Sequence, residues 1–428
     1  MRRHTLLLTA FLLLLTVAKA AAQTKAMEIK DNSGTSLFQI NEDASLFALG
    51  TFGIGTIPAT GAGTWLMWYP RKGAFRAGYV SSYQWDDAYI GDYSTAFGHN
   101  TMAADLGSSA IGYNAVAAGD FATALGRGFA NAESATATGQ GVAVGTHSTA
   151  TGSGRANGDY STAMGGWGQA NGDYSTAMGN GQADGDYSTA VGKGQASGNY
   201  STAMGNGRAT GHNATAMGSG RASGDMSIAS GFNTRASGKY SMAMGYFTTA
   251  QAYASLVLGR YNVVSGDSLS WMSTDPLLVV GNGRDEHNPS NAFTLLKNGN
   301  LTIAGTLTEN SDRRLKTDIT PLHDAGNALA RLQPVRYHFR KGTNRPEGVQ
   351  IGLIAQEVQE VFPELVIEGA DGYLSVSYAK LSAVLVQALN EQQAQLEAKA
   401  AAVEALQNEL AAVNERLARL ESASTAER

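Results

Sequence analysis

Tyr160-Ser161-Thr162-Ala163-Met164-Gly165, Tyr174-Ser175-Thr176-Ala177-Met178-Gly179, Tyr187-Ser188-Thr189-Ala190-Val191-Gly192 and Tyr200-Ser201-Thr202-Ala203-Met204-Gly205 succeed one another every 13 or 14 residues. Weaker copies extend the series from Tyr93 to Gly259, and alignment on the closing glycine gives about thirteen units. So short a repeat with two turn glycines has no room for a pair of helices, only for two short strands. The period therefore predicts a β-solenoid that gains one coil per repeat, roughly 60 Å long at ~4.8 Å per coil. A second glycine in each unit (Gly158, Gly172, Gly185, Gly198, Gly211, Gly224, Gly238) precedes Asp, Asn, His or Lys in most copies. That context predicts a corner with positive φ.

Alternation within the motif puts Tyr, Thr and Met on one face and Ser, Ala and Gly on the other. Met164, Met178, Val191, Met204, Met217, Met244 and Leu258 then form the expected core stack. A methionine stripe can also suggest metal or redox chemistry, but in a coil-forming repeat core packing explains it. The small-residue face is expected to let neighbouring chains approach closely, since so thin a core needs partners.

Outside the repeat the composition is uneventful. A net charge of −5 gives no electrostatic case for nucleic acid. Met1-Arg2-Arg3-His4, the apolar run Leu6 to Val17 and Ala18-Lys19-Ala20-Ala21-Ala22 read as a secretory signal peptide over residues 1–22. A membrane anchor is the alternative, but about 12 apolar residues are too few for a ~30 Å hydrocarbon core. With no cysteine, an exported chain has no disulfides and no lipidated cysteine, so its stability must come from packing or assembly. The mature chain is expected to have no membrane-spanning segment.

Residues 23–92 alternate apolar runs with glycines, the mark of short strands and tight turns. Trp65, Trp68, Tyr69, Trp85 and Tyr89 cluster there, and capping the open end of the array explains them better than a sugar-binding platform. Gly53-Ile54-Gly55 lacks the third glycine of a dinucleotide fingerprint. Residues 260–310 carry two apolar bursts and Asn298-Gly299-Asn300, a hairpin signal, and read as a β-rich neck. Neither a phosphate-binding loop nor a metal-ligand pair appears: Gly192-Lys193-Gly194 lacks the following Ser or Thr, and His287, His323 and His338 are scattered. No cofactor or metal is expected.

From Leu385 the pattern turns to heptads, with Leu389, Leu396, Val403, Leu410 and Leu417 at one seam position and Leu385, Leu406, Val413 and Leu420 at the other. A coiled coil over residues 385–428 follows, with a helix packed on its own domain as the alternative. Between neck and helix stands Asn310-Ser311-Asp312-Arg313-Arg314-Leu315-Lys316. A serine and a lysine five residues apart suit a nucleophile and its base, although regular helix or strand geometry would point them apart, so they meet only across a bend. As a base the amine must be neutral; an ordinary lysine pKa near 10.4 leaves about 0.1 % neutral at pH 7.4, so burial has to lower it by roughly 2 to 3 units.

Ser311 to Ile319, Leu332-Gln333-Pro334-Val335-Arg336-Tyr337, Ile351 to Val358, Phe362-Pro363-Glu364-Leu365-Val366 and Val376-Ser377-Tyr378 closely resemble the C-terminal intramolecular chaperone domain of phage endosialidases and tail spikes. The resemblance covers residues 311 to about 390 and implies an α+β chaperone domain over 311–384. It further implies a three-stranded coiled coil and self-cleavage between Asn310 and Ser311, with Ser311 as nucleophile and Lys316 as its partner. Residues 93–259 resemble the head repeats of trimeric autotransporter adhesins, which implies a trimeric, left-handed parallel β-roll. The polar C-terminal end, Glu421 to Arg428, departs from the membrane β-barrel anchor of those adhesins.

Together these readings describe a mainly β, exported, homotrimeric fibre-like protein of the kind that carries a tail fibre domain. Its C-terminal chaperone drives trimerisation and removes itself in a single-turnover autoproteolytic cut. A cell-surface or glycan receptor is the expected partner. An intact adhesin with a permanent coiled-coil clamp is the alternative; a glycan hydrolase is a further one, but Asp159, Asp173 and Asp186 read as turn residues rather than catalytic pairs.

Overall fold

The computed structural model describes residues 25–426, with side chains as far as residue 420, so the segment read as a signal peptide lies outside the described residues. The chain forms two compact units, one built mainly from residues up to 297 and the other mainly from 305 onward.

In the first unit, Lys25–Lys30, Ser36–Asn41 and Leu46–Ala48 make a small antiparallel sheet. Gly63–Tyr69 then pairs antiparallel with Ala74–Val80, and the latter pairs parallel with Thr95–His99, the first strand of the solenoid. From there each coil supplies one long strand, such as Thr162–Gly165, and one two-residue strand, such as Gln169–Ala170. Both strand types stack in parallel and in register: Thr162 lies opposite Thr176, and Gln169 opposite Gln182. Thirteen long strands and twelve short ones result, so the repeat period read from the sequence is the physical coil.

The inside of the coil corrects the expected core. Ala163, Ala170 and Ala177 are fully buried and Ser161 nearly so, whereas Met164, Met204 and Met244 are 38 to 40 % exposed. The two strands of most coils enclose only Ala and Ser, with Thr101, Thr234, Thr248 and Val257 the larger buried side chains at a few positions. The Ser/Ala face therefore turns inward, and the Thr/Met face turns outward.

The corners also differ from expectation. All thirteen closing glycines, Gly98 to Gly259, have positive φ. The second glycine does not; the left-handed residue is the tyrosine two places on, with φ of 55° to 59° at Tyr160, Tyr174, Tyr187 and Tyr200. Gly158 is required instead by close approach, because a Cβ there would sit 2.1 Å from the carbonyl oxygen of Gly172. The left-handed turn throws each tyrosine out onto its neighbour. Tyr160, Tyr174, Tyr187 and Tyr200 stack at 4.8 to 4.9 Å with interplanar angles of 2° to 3°.

At the N-terminal end of the roll Tyr69 and Trp85 are buried, and Trp85 Nε1 donates to Thr101 O at 2.8 Å. Trp68 and Tyr89 stay more than a third exposed. The buried Arg76 guanidinium fills the opening beside them, donating to Ser94 O, Ser94 Oγ and Ala103 O at 2.7 to 3.0 Å. Burial lowers its pKa to about 10, still far above neutrality.

After the last coil, Pro276–Asn282 continues the long-strand sheet in parallel, and Asn291–Leu296 and Leu301–Ile303 extend it antiparallel. Asn298-Gly299-Asn300 joins the final pair, with Gly299 at φ 89°.

The second unit has a small core of Ala325, Leu332, Val358, Phe362, Leu365, Val384 and Ala388. Helices Ala325–Ala330 and Ala355–Val361 and two short antiparallel hairpins surround it. A continuous 49-residue helix, Tyr378–Ala426, begins in this core and runs on beyond it. Glu391 on that helix accepts from the backbone N–H groups of Ala325 and Gly326 at 3.2 and 2.8 Å. It thereby ties the start of the long helix to the domain. Along the helix Leu389, Leu396, Val403, Leu410 and Leu417 are each at least half exposed.

Candidate active site

Residues 305–324 are exposed throughout, and Asn310 and Ser311 lie in irregular chain ahead of a single 3-10 turn, Arg313–Leu315. This turn is the bend that the serine–lysine spacing demanded. Asp312, in extended conformation at φ −64° and ψ 132°, caps it by accepting from Arg314 N at 2.8 Å. Asp is a preferred N-cap because its short carboxylate satisfies an otherwise orphan N–H. Lys316 N closes the turn on Arg313 O at 3.1 Å. The chain then re-enters extended conformation, and Lys316 Nζ donates to Ser311 Oγ at 2.6 Å.

Asp312 and Arg314 form the support of this arrangement. Arg314 Nη2 lies 2.7 Å from Asp312 Oδ2, and Nε contacts both carboxylate oxygens. The hydrogen bonds from Arg314 hold the Asp312 carboxyl below its ordinary range, and the carboxylate in turn raises the guanidinium. Arg314 is thus committed to Asp312. Sequence reasoning assigned no role to Asp312, although Asp one residue before a short helical turn is a recognisable N-cap pattern.

The structure brings Ser311 and Lys316 together, with the Asn310 carbonyl one bond from the Ser311 nitrogen. A serine hydroxyl reaches the carbonyl carbon of its own preceding peptide bond through a five-membered ring, so no further substrate-positioning element is needed. In the contact seen, the amine donates; proton abstraction requires the reverse role, with Nζ neutral and accepting. Both side chains are solvent-exposed in the single chain.

The repeat aspartates are engaged structurally. Asp159, Asp173 and Asp186 accept from the backbone N–H groups of Thr146, Asp159 and Asp173 at 2.7 to 3.1 Å, each clamping the preceding coil. Among the described residues no helix is long and apolar enough to cross a membrane.

Comparison with known proteins agrees with this division. Residues 311–367 match the family described as chaperone of endosialidase. The YadA head domain repeat matches residues 90–114, 106–128, 156–181, 195–207 and 222–248. The chain is also similar to the long tail fiber protein Gp37 of Salmonella phage S16, 33% identical over 128 residues. That alignment takes in 28% of this chain and 16% of the phage protein, so the chain covers only a small part of its relative. A β-solenoid matching the YadA head repeat is thus joined to a C-terminal unit whose residues 311–367 match the endosialidase chaperone, and part of the chain is similar to a phage tail fibre.

Proposed function

We propose that the protein is an exported, homotrimeric surface or secreted fibre whose C-terminal domain aligns three chains and then cuts itself off between Asn310 and Ser311. The observation that carries this reading is the 2.6 Å contact between Lys316 Nζ and Ser311 Oγ, immediately after the bond to be broken. In the proposed reaction, neutral Lys316 takes the Oγ proton as Oγ attacks the Asn310 carbonyl carbon. The C–N bond breaks, and the Ser311 nitrogen receives a proton and becomes an amine. The resulting ester is opened by water, leaving a carboxylate on Asn310 and a free N-terminus on Ser311.

Assembly supplies the timing. A solvated lysine is protonated at neutral pH, and desolvation or a neighbouring like charge favours the neutral form. Leu307, Leu315 and Ile319 stand 53 to 74 % exposed around the site, a surface for neighbouring chains to cover. The half-exposed leucine seam of the long helix supports association, since such a seam buries its apolar face only against other helices. Once wound, an intertwined fibre separates slowly, so the clamp becomes dispensable.

Expression of the full-length protein followed by light scattering and denaturing electrophoresis tests the reading. It requires a trimeric rod and two fragments; a monomeric rod contradicts it. The long seam also fits a permanent clamp on an intact adhesin, and a trimer that remains uncut selects that reading. A cell-surface or glycan receptor is the partner proposed for the rod.

A further inference from the structure

We infer that the C-terminal end of the β-roll carries a groove for an acidic polysaccharide whose sugars bear carboxylates. This gives chemistry to the receptor in the reading above and does not depend on self-cleavage. Arg208, Arg221 and Arg235 occupy the same outward position on consecutive short strands, Arg208 opposite Arg221 and Arg221 opposite Arg235. Earlier coils place Gln169, Gln182 and Gln195 there, so the fold does not need a charge at this position. Like charges directly opposite one another, at ~4.8 Å strand spacing, destabilise a sheet. None of the three arginines forms an ion pair among the described residues. The ladder therefore carries an electrostatic cost that an anionic ligand would relieve.

A groove lies over the ladder. It encloses about 870 Å³, within the usual range of ligand sites. Arg221, Arg235, Phe247, Tyr261, Gln251 and Glu286 are among the residues that line it. A second groove of about 350 Å³ shares Arg221 and Arg235 and continues past Arg208. Guanidinium forks pair bidentately with carboxylates, and a row of them matches a polymer that repeats its charge. The Gln251 amide nitrogen donates to Gly266 O at 2.9 Å, and its oxygen suits sugar hydroxyls, while Phe247 and Tyr261 suit the apolar face of a sugar ring. Phe247 and Tyr261 stack on each other at 5.0 Å and 18°, so no ligand ring enters between them.

The test titrates the full-length protein by calorimetry with an oligogalacturonate, a dextran sulfate oligosaccharide that carries sulfates and no carboxylates, and a single-stranded oligonucleotide of matched charge. The oligogalacturonate should bind saturably and more weakly as salt rises. The double variant Arg221→Gln/Arg235→Gln should weaken binding at least about tenfold, Arg221→Lys/Arg235→Lys should recover part of it, and Gln182→Ala should leave it unchanged. Absence of oligogalacturonate binding overturns the proposal, as does tighter binding of dextran sulfate or of the oligonucleotide. Wild-type affinity in the double Gln variant overturns it too, and loss of the oligomer in that variant would make the ladder a contact between chains. Denaturing gels of the same samples report cleavage, so failed binding with normal cutting refutes the groove alone.

Discussion

Replacing Gly198 by valine probes the contact that sets the spacing of the coils. A Cβ at Gly198 would lie 2.1 Å from the carbonyl oxygen and 2.7 Å from the carbonyl carbon of Gly211, both backbone atoms of the next coil. Ordinary contact begins near 3.4 Å, so the two coils must part by about 1.3 Å (3.4 − 2.1). Ser197 N and Gly198 N both donate to Ala209 O across this junction, at 2.8 and 3.3 Å. At about 1 kcal/mol net per hydrogen bond, with about 1–3 kcal/mol for overpacking, the substitution should cost roughly 3–5 kcal/mol at one interface. Because a solenoid is held together by nearest-neighbour interfaces, the damage should be local. Limited trypsin digestion should show new cuts after Lys193 or Arg208, together with a lowered thermal midpoint. Gly192→Val acts differently: its Cβ would stand 3.2 Å from the next carbonyl oxygen, but the backbone has φ 75°. There the cost should be the smaller one of backbone strain, about 1–3 kcal/mol. Wild-type protease resistance and melting in Gly198→Val would refute the close-approach argument.

Three further outcomes are expected. Ala203→Leu should disrupt the roll because Ala203 is fully buried between strands, whereas Met204→Gln should leave the coil intact and weaken self-association; circular dichroism and light scattering separate the two. Glu391→Gln should lower the melting temperature of the C-terminal domain at neutral pH. The backbone N–H of Gly326, with Gln387, holds the Glu391 carboxyl below its usual value. Its contribution is therefore fully present above the unfolded pKa of about 4.3 and is lost as pH falls through the folded value, so wild type and variant should converge in acid. Leu396→Asp with Leu410→Asp should abolish trimers and, with them, cleavage, which size-exclusion chromatography and gels of the same sample would show.

The solenoid was legible because period, strand length and closing glycines all point to the same coil, and each closing glycine does have positive φ. Which face turned inward was not legible. Alternation yields two faces without saying which is inside, and hydrophobicity favoured methionine, whereas the narrow gap between the strands of a coil is filled mostly by side chains the size of Ala163. The positive φ at Tyr160 was equally hidden, since tyrosine carries no intrinsic preference for that region. At the candidate site the need for a bend was readable from the five-residue offset, and the N-cap role of Asp312 was open to the same local reading, whereas its ion pair with Arg314 depends on the rotamers of two side chains two residues apart. The arginine ladder was present in the sequence as Arg208, Arg221 and Arg235. It became visible only when register placed them directly opposite one another and the fold brought Tyr261 to the same groove.

Mass spectrometry of the expressed full-length chain, beside Ser311→Ala and Lys316→Ala, tests self-processing most directly. Wild type should give two fragments, one ending in Asn310 and the other beginning with Ser311. Ser311→Ala should remain a single uncut chain that still trimerises, and Lys316→Ala should be cut far more slowly while keeping its trimer. An uncut wild type under folding conditions, or Ser311→Ala cut at the same bond, would contradict the assignment of Ser311 as nucleophile.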